Sequence, residues 1–219
     1  VHLVKAAYIL EKINKQLDNE HNLPFEEFLN EEIKKGNKRA ELTKILYDAQ
    51  KGVCALDRES NIIELAKGVH STAGKGVYPE DLGKEEFQGI ILKMLKSGKI
   101  DEVKTILNQR SVVERCGEEL RAIDYIDKYK EDFSRMADEL ELASKVSTNA
   151  DFNEYLELQA KALRTADPML DAYADKKWAT LQDTPLEFTI TRENYSDELT
   201  ESVIENNELK ELLEKYNIT

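Results

Sequence analysis

The chain has 219 residues, 41% of them hydrophobic, and carries 31 basic against 44 acidic side chains for a net charge of -13. A chain of this size buries roughly 70% of its unfolded surface, enough for one domain core or two small ones. Its negative field repels nucleic acid and anionic lipid, which argues against duplex binding and membrane-surface binding, and no apolar run approaches the roughly 18 residues of a membrane span.

The first residues carry Leu3, Ala6, Ala7, Leu10, Ile13 and Leu17 at helical spacing, with His2 and Lys5 interspersed, a pattern of an amphipathic helix and not of a signal peptide. The expectation is a soluble, cytoplasmic chain, although Val1 in place of Met leaves a removed leader open. The sequons Asn194-Tyr195-Ser196 and Asn217-Ile218-Thr219 are then chance occurrences. Cys54 and Cys116 stand far apart in amphipathic patterns and read as unpaired thiols.

Pro24 marks a second helix start, with Phe25, Phe28, Leu29 and Ile33 on one side and Gly36 beyond its end. Leu42, Ile45, Leu46 and Ala49 make a third stripe, expected to face a core. Asp57 is placed to cap a fourth helix through Ile62, Ile63, Leu65 and Ala66. Residues 1–68 therefore read as four short helices with no strand.

Gly68, Gly74, Gly76, Pro79 and Gly83 make the first irregular stretch. It is not a phosphate loop. Gly74-Lys75 stands too far from Gly68, Gly76 occupies the place of the Ser or Thr, and no strand precedes it. His70, Ser71 and Thr72 read as local capping groups, since a nucleophile needs a base and an orienting partner.

Phe87, Ile90, Ile91, Met94 and Leu95 predict a helix closed by Gly98, and Ile100, Val103, Ile106 and Leu107 predict another. From 112 to 143, Leu120, Ile123, Ile126, Phe133, Met136 and Leu140 suggest one long helix or a helical hairpin turning near 129–132. Asn149 or Asp151 would cap the next helix, and Asp167-Pro168 would start the one holding Trp178, the single tryptophan.

Residues 186–191, Leu-Glu-Phe-Thr-Ile-Thr, alternate apolar and polar side chains, a strand signal. Such a strand needs a partner, for which 53–56 is one candidate. If the extended geometry continues, Glu193, Tyr195 and Asp197 share a side. Their carboxylates would suit a peptide ammonium, and the phenol a developing oxyanion. Equally, Asp197 would stand near a helix start and Tyr195 would pack over the strand end. The fold expected is mainly α-helical (α+β), a multihelical domain with a small sheet element near residues 186–191. A helical lobe over 1–150 would pack with a helical and strand region over 151–219.

The run 154–199, EYLELQAKALRTADPMLDAYADKKWATLQDTPLEFTITRENYSDEL, resembles a stretch of the dipeptidyl peptidase III family of zinc exopeptidases. The similarity gathers in Leu163, Asp175, Trp178, Leu181, Asp183, Glu193, Tyr195 and Asp197, and 75–87, KGVYPEDLGKEEF, is similar to an upstream segment of bacterial members. The resemblance implies that Glu193 binds the free amino end of a peptide, with Asp197 beside it. It also implies that Tyr195 binds substrate and helps stabilise the tetrahedral intermediate, a catalytic part only within a complete enzyme. Family members place Gly-Pro before this element, where this chain has Ile190-Thr191.

None of His2, His21 or His70 is followed by Glu, so the family's His-Glu zinc motif is absent and this chain is expected to bind no metal. Zinc would accompany the remainder of a family-like enzyme. EELRA, 118–122, superficially similar to the second zinc motif, precedes the Glu-x-Tyr element when it should follow it, and its carboxylates read as the wet face of a helix. The expectation is a non-catalytic or partial peptidase-like protein that binds short peptides by their amino end. The alternative is a helical protein-interaction or structural domain with a protein partner and no peptide binding.

Overall fold

The computed structural model describes residues 1–17, 23–50, 52–59, 61–66, 74, 76–108, 110–165, 167–184, 186–190 and 197–218. Three helices open the chain, α1 (His2–Leu17), α2 (Leu23–Lys34) and α3 (Lys38–Gln50), followed by the short strands β1 (Cys54–Leu56) and β2 (Ile62–Glu64). Helices α4 (Lys84–Lys96) and α5 (Ile100–Leu107) lead into β3 (Ser111–Cys116) and β4 (Glu119–Asp124). Then come α6 (Tyr125–Lys128), α7 (Lys130–Val146), α8 (Ala150–Leu163), α9 (Pro168–Ala179), α10 (Glu198–Glu205) and α11 (Asn207–Lys215). The chain is thus mainly helical with small antiparallel sheet elements, an α+β fold.

The contacts gather into two units, neither a single run of sequence. The first takes Val1–Asn14, Asn108–Val112 and Ala122–Tyr195; the second takes Lys15–Leu107, Val113–Arg121 and Ser196–Thr219.

In the first unit α7 packs on α8 and α8 on α9. Phe133, Met136, Ala137 and Leu140 of α7, with Phe152, Tyr155, Leu156 and Ala160 of α8, are buried at the spacing of a single helix stripe. The caps are those the sequence signals. Asn149 accepts from the Phe152 amide at 2.9 Å, and Asp167, ahead of Pro168, accepts from the Met169 amide at 2.9 Å. Ion pairs tie the layers at their wet edge: Arg164 reaches Asp138 and Glu141 of α7, and Lys177 reaches Asp151 and Glu154 of α8. His2 and Lys5 both hold Glu139.

In the second unit Phe87, Ile91, Met94 and Leu95 of α4 are almost fully buried, and α4 is packed by α5, α10 and α11. Gln88 locks this packing by donating to the Ser202 carbonyl at 2.8 Å while accepting from Asn206 at 3.2 Å. A separate cluster of Phe25, Leu29, Ala40, Tyr47, Val53 and Cys54 holds α2, α3 and β1 together.

Several expectations are corrected. Residues 62–64 are strand and not helix: Cys54, Ala55 and Leu56 of β1 face Glu64, Ile63 and Ile62 of β2. Asp57 caps the turn between them, its Oδ1 accepting from the amides of Glu59 and Asn61 at 2.8 and 2.9 Å. The β-branched pair Ile62-Ile63 favours an extended ladder, and the Asx turn sets its register. Residues 111–124 form a hairpin where helical spacing was expected, because Gly117 turns the chain at φ 65° after the β-branched Val112-Val113. Glu118 and Glu119 therefore stand at this hairpin's turn and on β4, pairing with Lys93 and Lys99. Residues 186–190 carry no strand, so the sheet elements lie elsewhere. An alternating segment makes a ladder only beside another strand, and β1, the candidate partner, pairs with β2 in a two-stranded sheet that does not include 186–190. Finally, Leu42, Ile45 and Leu46 are exposed at 66%, 63% and 52%, while Tyr47 of the same helix fills the core.

Candidate functional site

The segment that carries Glu193 and Tyr195 is entered from α9. Thr180 closes that helix, and Asp183 turns the chain at φ 52°, a left-handed conformation that short polar side chains tolerate. Beyond it Glu187 and Thr189 are exposed while Phe188 is half-buried and Ile190 buried, the alternation of extended chain. Ile190 lies by Tyr155 of α8. Burial raises the Tyr155 phenol above its ordinary value, Thr189 and the Ile190 main chain pull weakly the other way, and its oxygen makes no well-formed hydrogen bond. Tyr155, one of the helix-face aromatics in the sequence, is thus the floor under the entry to the Glu-x-Tyr element. Only its place in the α8 apolar stripe hinted at that.

Glu193 and Tyr195 lie in 191–196, outside the described residues. Asp197, the third expected site residue, is placed. It is buried and caps α10: its Oδ1 accepts from the amides of Leu199 and Thr200 at 3.0 and 2.9 Å, and Thr200 Oγ1 accepts from the Asp197 amide at 3.3 Å. This reciprocal capping box commits one carboxylate oxygen to the helix start. Within the same unit the upstream block, described from 76 to 87, packs close by. Gly74, just before it, lies so near Leu199 and Tyr78 that an added Cβ would stand 2.7 Å from each. The glycine is there for close approach, and Tyr78 stacks edge-on against Phe87 at 5.6 Å.

No protein-family model and no curated protein matches the sequence. Among solved structures, that of DPP III from Caldithrix abyssi is similar over 84% of this chain, with a TM-score of 0.65 and 26% identity. The fold is DPP III-like. The match covers 32% of that protein's own length, so the chain spans about a third of it.

The family resemblance read from the sequence raises the question of zinc. Among the described residues no three His, Cys, Asp or Glu side chains converge on a point that could hold an ion. His2 is engaged by Glu139 at 2.6 Å, and His21 and His70 lie outside the described residues. Cys54 is buried and Cys116 exposed, neither in a disulfide. Among the described residues no helix is long and apolar enough to cross a membrane.

Proposed function

We propose that this chain is a peptide-binding framework of the DPP III-like kind, in which Glu193 takes the free amino end of a short peptide and Tyr195 donates a hydrogen bond to the peptide's first carbonyl. The observation that carries this reading is the fold likeness to DPP III over 84% of the chain, joined to the Glu193-Asn194-Tyr195 spacing in the sequence. A carboxylate and a phenol two residues apart can address an ammonium and a carbonyl oxygen on one side of an extended element. Asp197 serves them indirectly, because its capping box anchors the helix that begins directly after the element.

Hydrolysis by this chain alone is not part of the reading. No histidine begins a His-Glu motif, and activation of water in a zinc peptidase needs metal ligands and a carboxylate beside them. Zinc belongs to the reading only with further polypeptide that supplies those ligands, and Tyr195 would then stabilise the tetrahedral intermediate.

Calorimetric titration with a tripeptide tests the proposal. The free-amine form should bind, and N-terminal acetylation or Glu193→Gln should each weaken binding by roughly tenfold or more, the size of a lost charge-assisted contact. Equal binding of acetylated and free peptide sinks the amino-end reading. The second reading, a helical domain that docks another protein, draws on the exposed Leu42, Ile45 and Leu46 stripe of α3.

A further inference from the structure

A phenol that is buried normally finds a partner for its hydroxyl. Tyr155 of α8 is 1% exposed, and its hydroxyl oxygen, shut off from solvent, makes no well-formed hydrogen bond. Phe152, three residues earlier on the same helix, packs on the ring with centroids 6.1 Å apart, and α8 itself packs on both α7 and α9. The ring is thus fixed by regular elements, and a group that completes its bonding must come to it.

Two groups from the stretch after α9 act on that oxygen, the Thr189 hydroxyl and the Ile190 main chain. Both favour the phenolate, as donors do. Thr189 is exposed and Ile190 is 4% exposed, so the chain passes from solvent into the core at this point. A phenol oxygen can accept the Ile190 N–H while giving its own proton, and a threonine hydroxyl rotates to take either role. In the free protein this arrangement falls short of a formed bond. Hydrogen bonds that serve a site are often long in the free protein and tighten in its complex. Ile190 precedes Glu193 by three residues, at most about 11 Å of extended chain, so holding 189–190 against α8 limits where the carboxylate can reach.

We infer that Tyr155 is a positioning residue for the Glu193 and Tyr195 element: capture of a peptide's amino end draws Thr189 and Ile190 onto its hydroxyl and completes a bond that the free protein leaves open. The inference rests on the amino-end reading and adds to it the residue that sets the element's place.

The test compares the full chain with Tyr155→Phe, which keeps the ring and removes the hydroxyl. Calorimetry with trialanine should show binding to the variant weakened about fivefold, the typical net worth of one neutral hydrogen bond, with the preference for free over acetylated trialanine retained because Glu193 is intact. The urea midpoint should hold or rise, since an unbonded buried hydroxyl stabilises nothing. Amide hydrogen exchange with each protein saturated by trialanine should show the Ile190 N–H slowed in the parent chain and not in Tyr155→Phe, a difference that a purely structural role would not produce. A lowered urea midpoint overturns the inference, because the hydroxyl would then already be bonded in the free protein. Equal affinity, or equal slowing at Ile190, in a parent chain that prefers the free amine overturns the role of Tyr155 and leaves the amino-end reading standing. A parent chain that binds free and acetylated trialanine alike removes that reading, and the inference with it.

Discussion

At residue 197 a carboxylate suited to a peptide ammonium holds two main-chain amides through one of its oxygens, and it does so while buried. The role is testable by separating shape from charge. Asp197→Ala should lower stability by about 1 kcal/mol, the usual cost of losing an N-cap, while Asp197→Asn keeps an acceptor oxygen and should lose only a fraction of that. Urea unfolding of both variants decides. If Asn proves as damaging as Ala, the charge is what matters at this position and capping is the wrong account. The same scale explains Gly74, whose residue type looked like loop flexibility in a glycine-rich stretch. Its neighbours Leu199 and Tyr78 show that the missing Cβ is a packing requirement.

Helix α3 shows how an element's apolar pattern is divided between core and surface. Its stripe at 42, 45, 46 and 49 has the spacing of a buried face, but the second unit uses the adjacent face, placing Tyr47 in contact with the cluster of Phe25, Leu29 and Val53. Removal of the Tyr47 ring by Tyr47→Ala should therefore cost about 3 kcal/mol or more, as emptying an aromatic core site does. Ile45→Glu should change thermal stability by no more than about 0.5 kcal/mol, the range of surface substitutions. A large loss from Ile45→Glu would show that the stripe is covered within the chain. The hairpins teach the complementary lesson. Each is set by a turn residue, Gly117 in one and Asp57 in the other, and helical spacing counted through a turn is accidental.

For the whole molecule, a charge of -13 sets two acid responses against each other. Protonating carboxylates relieves self-repulsion, which favours the fold as pH falls. Against this, the paired carboxylates lie below their ordinary range: hydrogen bonds from Arg115 lower Asp81 and Glu86, and the hydrogen bond with His2 lowers Glu139. A depressed carboxylate contributes stability that is fully present above the unfolded value, about pH 4, and is lost as pH falls through the folded value. Arg115→Met removes that contribution for Asp81 and Glu86 and should flatten the acid decline of the urea midpoint between about pH 5 and 3. An unchanged slope would mean these exposed pairs add nothing measurable, as many surface pairs do.

Local chemistry was legible from residues alone wherever cause and effect lie within a few positions. Asn149, Asp167 with Pro168, and Gly36 mark helix ends because a cap bonds to its own chain two or three residues away. The helical stripes of α4, α7 and α8 were legible because a 3.6-residue period needs no partner to be seen. The resemblance to dipeptidyl peptidase III rested on short blocks and accords with the fold likeness. What only tertiary structure decided is which pattern finds a partner. An alternating segment at 186–190 becomes a strand only if another strand lies beside it, and none among the described residues does. An apolar stripe becomes core only on the face that another element covers, which separates Tyr47 from Leu42 and Ile45. Such pairings join residues distant in sequence, and no local period records them.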